Sequence, residues 1–210
     1  MSFEHRQFSH NWADVDYDRD VFFPVPVVFQ GTKWADPAEW SFTYAADRFV
    51  KAGRELNKKV LKKEVQPFAE LLMYMRKELI GKVPAVKIYM HCPDATKAPV
   101  VVGIGLWEAE ASREEALQWY AYTGTETATT TPEAQWVETE ALGQGVRATW
   151  SGKTTDGRPY DQVNYAFRSD EFHMDVHLWT TVEDHARFEE MVPDVDRLVH
   201  GIRCVPRKGD

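Results

Sequence analysis

The sequence predicts an α+β fold: an antiparallel β-sheet, a meander in its C-terminal half, packed by helices and preceded by a mostly helical N-terminal block. Three observations predict it. Apolar residues recur at helical spacing through residues 36–81. After Pro84 the period shortens to two. The alternating segments of the C-terminal half are joined by connections too short for a crossover, so neighbouring strands run antiparallel.

The first twenty residues are polar and are expected to be loosely ordered, with Phe3, Phe8 and Trp12 able to dock back. Residues 21–210 are expected to form a single α+β domain. It opens with "VFFPVPVVF" (21–29), an edge strand or strand-like arm, because its two prolines cannot donate to a ladder. "WADPAEW" starts a helix: Asp36 is a good N-cap, Pro37 suits the first helical position, and Glu39 favours the positive helix end. Trp40, Phe49, Ala52, Leu56 and Val60 continue it, and Pro67 is expected to end or kink it. Phe68, Leu71, Leu72, Met75 and Leu79 define a second helix that Gly81 is placed to stop.

The sheet-plus-helix portion runs from 84 to 206. "AVKIYMHC" (85–92) and "PVVVGIGLW" (99–107) read as strands around the turn-rich "PDATKA". "SREEALQWYAYT" reads as a helix with a capping box from Ser112 and Glu115, and "TGTETATTTP" as a loop. "AQWVETEA" and three clearer strands follow. Their inward sets are expected to be Val146, Ala148 and Trp150; Val163, Tyr165 and Phe167; and Phe172, Met174, Val176 and Leu178. The meander should therefore have one apolar and one polar face. Phe188, Met191, Val192, Val195, Leu198, Val199 and Ile202 form the stripe of a last helix over the apolar face, kinked or restarted at Pro193, with Cys204 at its end.

This C-terminal pattern, "GVRATWSGKTTDGRPYDQVNYAFRSDEFHMDVHLWTT" followed by "FEEMVPDVDRLVHGIRC", resembles the closing half of PsbP-like proteins, a superfamily that includes LpqN-type actinobacterial proteins. The resemblance implies a central antiparallel sheet between helices, used to bind proteins or small ligands rather than for catalysis. It covers at most about the last 125 residues and carries no residue-level functional motif. The helical block at 36–81 departs from it, as does the lack of a lipoprotein signal.

Composition narrows the function classes. The chain is 43% hydrophobic and 28% charged, which argues against wholesale disorder. Its 33 acidic and 25 basic residues give a net charge of −8, which disfavours nucleic acid and anionic lipid. Lys58, Lys59, Lys62 and Lys63 read as a solvated helix face rather than a basic patch. With no apolar run long enough for a membrane span, no visible secretory signal and only Cys92 and Cys204, the expected location is the cytoplasm with reduced thiols. Eight tryptophans hint at binding without locating it.

The most suggestive stretch is "FHMDVHLW" (172–179). On a strand, His173, Asp175 and His177 share a face, and histidine with carboxylate suits zinc or iron. Yet four residues along a strand span roughly 13–14 Å, too far for both imidazoles to reach one ion easily. The facing Arg147, Thr149, Gln162 and Asn164 are poor ligands. The solvated outer face of a half-buried strand is the preferred reading, with a pH-sensitive contact surface as a minor variant. Elsewhere Cys92 beside His91 reads as an idle thiol. "GIG" (103–105) reads as a strand over which another backbone packs closely. Glu108, Glu110, Glu114 and Glu115 cluster where a strand gives way to a helix, and capping and helix-dipole roles for Glu114 and Glu115 favour a structural reading over paired acid–base work. The expectation is a non-catalytic binding or adaptor domain without a cofactor. Its ligand or partner face comprises His173, Asp175, His177, Trp179, Asn164 and Arg147. Its partner is a protein, a small ligand or a second copy in a homodimer. The alternatives are a metal-assisted hydrolase or oxygenase using His173, Asp175 and His177, and a self-associating structural protein.

Overall fold

The computed structural model of the chain describes residues 12–80 and 86–205. In chain order its elements are β1 (Ala13–Val15), β2 (Phe22–Val25), α1 (Pro37–Lys51), α2 (Lys58–Val60), α3 (Gln66–Ile80), β3 (Val86–His91), β4 (Val100–Glu108), α4 (Arg113–Ala121), β5 (Glu133–Thr139), β6 (Gly143–Lys153), β7 (Pro159–Ser169), β8 (Met174–Val182), α5 (His185–His200) and β9 (Ile202–Cys204). The fold is α+β with antiparallel strand pairing. The chain divides into two compact units, one of residues 19–84 and 88–100, the other of residues 1–18, 85–87 and 101–210.

The first unit holds the helical block. Asp36 caps α1 as its sequence demands, its carboxylate accepting from the amides of Ala38 and Glu39. The first helix ends well before Pro67, at Gly53, whose φ of 74° suits glycine. Pro67, expected to end or kink the first helix, does not end one. Instead a π-helical segment, Leu61–Val65, runs directly into α3, and Pro67 sits in its first turn. The wider π-turn accommodates a ring that would clash with the carbonyl four residues earlier. Of the expected strand at 21–29 only β2 forms, paired with β3 so that Pro24 faces Tyr89. Arg48, fully buried, donates to the carbonyls of Arg19 and Asp20 and packs its guanidinium against the Phe23 ring. Gly81 lies outside the described residues, as do Phe3 and Phe8.

The second unit holds a five-stranded antiparallel run in the order β4-β8-β7-β6-β5. The segment expected to be loose is tied in from Trp12 onward: β1 pairs with β9, and the Trp12 carbonyl accepts from Val205. Cys204 therefore lies on a strand rather than at a helix end, and burial pushes its thiol up to about 11. Pro193 does not restart α5, which runs continuously through it and is capped by Asp184.

The expectation of one apolar and one polar sheet face is overturned. Residues opposite each other on neighbouring strands share a face. The register pairs Val146 with Ala166, Ala148 with Asn164, and Trp150 with Gln162, so the β6 apolar set lies opposite to Val163, Tyr165 and Phe167 of β7. At β7 and β8 both faces are covered, while β5 stays largely exposed. Helix α5 packs on the face of Tyr165 and Leu178, with Met191, Val195, Leu198 and Val199 buried. Helix α4 packs on the other, where Ala116, Leu117, Tyr120 and Ala121 meet Ala148, Trp150 and Ala166.

Candidate functional site

The strand register assembles the α4 face. Gly103, Trp179, Asn164 and Ala148 form one row across it, and Gly105, His177, Ala166 and Val146 the next. Trp107, Asp175 and Arg168 form a third. The two glycines of "GIG" are therefore not a path for another backbone. A Cβ at Gly103 would strike the Trp179 indole, and one at Gly105 the Trp107 indole. Their missing side chains let rings lie flat on the strand. The result is a continuous aromatic layer: Trp107 stacks on Tyr120 at 4.9 Å, Tyr120 lies 5.4 Å from His177, and His177 stacks on Trp179 at 5.0 Å.

Of the six residues expected on one solvated face, four share a face and it is covered. Asn164 is 0% exposed, Asp175 3% and His177 5%, with Trp179 half-buried. Asn164 donates through Nδ2 to the carbonyls of Tyr120, Ala121 and Thr123, holding the C-terminal end of α4. Asp175 takes a bidentate pair from Arg168, at 2.6 Å from Nε and 3.0 Å from Nη2, while Arg168 Nη1 reaches the Ala111 carbonyl at 2.8 Å. Arg147 lies on the opposite face, against the Tyr165 hydroxyl (3.2 Å) and Asp196 (3.3 Å). His173 is not on the strand. It is exposed in the β7–β8 turn with a left-handed φ of 49°, its carbonyl accepting from Ala109.

His177 is the most perturbed group of the set. Its Nε2 is buried without a hydrogen-bond partner, and burial lowers its pKa to about 3, so the imidazole is neutral near pH 7. With Asp175 bound to Arg168 and His173 out in a turn, the trio does not converge on a common point. Among the described residues no group of three His, Cys, Asp or Glu side chains is placed to hold a metal ion. One Ser, Asp and His do meet elsewhere, but Ser151 Oγ (2.5 Å) and His185 Nδ1 (2.7 Å) both bind Asp161 and not each other. A carboxylate between serine and histidine cannot relay the serine proton to the imidazole as a nucleophile requires.

One concave feature lies where β4 gives way to α4. A half-open cavity of about 170 Å³ is lined by Glu108, Glu110, Ala111, Glu115, Ala116, Trp119, Tyr120 and Asp175. Glu115 closes the capping box, accepting from the Ser112 amide and hydroxyl. Tyr120 is only 6% exposed, and its hydroxyl has no hydrogen-bond partner among the described residues. Its pKa is raised first by burial and then by the charges of Asp175 and, more weakly, Glu110. Trp119 is 57% exposed at the wall. The capping and dipole roles expected of Glu114 and Glu115 place both in the first turn of α4, with Glu115 closing the capping box. The usable signal was the pair Gly103 and Gly105 beside so many aromatics. Small residues in a strand mark where rings pack, and rings form walls.

No protein-family model matches the chain, and no curated protein matches it in sequence. Among the described residues no helix is long and apolar enough to cross a membrane.

Proposed function

We propose that the chain is a non-catalytic binding domain that takes a small molecule in the cavity beside α4. The observation that carries this reading is the cavity itself, a mostly apolar concavity walled by Trp119 and Tyr120 and edged by the carboxylates of Glu108 and Glu110. The cavity is backed by a closely packed helix–sheet layer, so the walls are pre-formed. Three side chains with structural commitments favour binding over catalysis: Asp175 is held by Arg168, Glu115 caps its helix, and His177 is enclosed by rings. The resemblance to PsbP-like proteins points the same way. Compared with the expected outer face, the site moves to the margin of the helix that covers it.

The test is protein-observed NMR with a set of small amines, alcohols and carboxylates that carry apolar bodies. Shifts confined to Ala111, Ala116, the Trp119 indole and Tyr120 are the expected result. Perturbations that cluster elsewhere on the chain, or none from any probe, contradict it.

A further inference from the structure

We propose that the ligand of the α4 cavity is an organic ammonium, a small cation whose charge sits on an apolar head. This rests on the reading of the cavity as a ligand site. The cavity carries uncompensated negative charge. Asp175 is neutralised by Arg168, no Lys or Arg lines the cavity, and Arg113 at the start of α4 binds Asp170 and the Gln144 carbonyl. Glu108 and Glu110 have no hydrogen bond or ion pair among the described residues. The N-terminus of α4, which would otherwise attract an anion, is already covered by the Ser112–Glu115 capping box.

The walls fit the same class. Trp119, exposed at the wall, offers an indole ring whose face attracts cations, and Tyr120 adds an aromatic wall beside it. Ala111 and Ala116 leave room for alkyl groups. An anion would face at least two carboxylates, and a neutral molecule of the same shape would gain nothing from them. The chain's net charge of −8 also steers cations inward.

Choline and its neutral carbon isostere, 3,3-dimethylbutan-1-ol, separate charge from shape. Titrated into the full chain and followed at Ala111, Ala116 and the Trp119 indole, choline is expected to bind at least about tenfold tighter. Glu108→Gln with Glu110→Gln, both at exposed positions, is expected to erase that preference while the alcohol still shifts the same resonances. Equal affinity of the two probes for the native chain overturns the ammonium assignment and leaves the cavity reading standing. Choline preference undiminished in the double variant overturns the assignment of the charge to these carboxylates. Absence of cavity shifts with either probe overturns both readings.

Discussion

His177 shows what one buried side chain does to the pH response of this molecule. In the folded chain its pKa falls from the ordinary 6.5 to about 3, because burial among Trp107, Tyr120 and Trp179 disfavours the imidazolium. The folded state therefore binds this proton more weakly than the unfolded chain does. The stabilisation is complete above pH 6.5 and is lost as pH falls toward 3, by on the order of 4 kcal/mol across that window. His177→Phe keeps a ring and removes both the titration and the orphaned Nε2. Urea denaturation is expected to find this variant more stable by about 1 kcal/mol at pH 7. The gap should widen at pH 4.5, where the native histidine is penalised and phenylalanine is not. A native chain and variant with parallel pH profiles would show that the imidazole is not enclosed. The histidine was visible in the sequence, but its burial was not. Alternation along β8 reports that His177 and Asp175 share a face, and says nothing of whether a helix covers it.

At the scale of elements, local chemistry was legible wherever it acts within a few residues. The Asp36 cap and Pro37 start of α1, and the Ser112–Glu115 box of α4, follow from side chains that reach their own backbone. Register was not legible, because each strand's alternation leaves its phase relative to the neighbour open. That single ambiguity put Val146, Ala148 and Trp150 on the wrong side and left Arg147 among residues it never meets. The two helix prolines were also misjudged, for different reasons. Pro67 is absorbed by the π-segment before it. Pro193 lies exposed in the interior of α5, where it leaves the Glu189 carbonyl without its helical donor. Pro193→Ala restores that hydrogen bond without touching the core. Thermal or chemical denaturation is expected to show stabilisation of about 1–3 kcal/mol. No gain would mean that α5 has adapted to the proline elsewhere.

For the whole molecule, the organising fact is that the central strands of the five-stranded run, β7 and β8, are buried on both faces. Helix α5 takes one face of these strands and α4 the other, which closes the β8 face expected from alternation to be open, while β5 stays largely exposed. What remains is the margin of α4, where aromatic walls and free carboxylates meet. None of that was legible from spacing. Glu108, Glu110 and Tyr120 come together only because β4 turns into α4 and α4 lies back across β7. The claim that binding happens in this cavity is tested most directly by filling it. Ala111→Phe places a ring in the mouth from a half-buried position whose only polar duty, the carbonyl bonded to Arg168, is kept. NMR titration of this variant with the same small-molecule probes is the measurement. The account predicts a native-like spectrum and no probe binding; a folded variant that binds them as tightly as the native chain would contradict it.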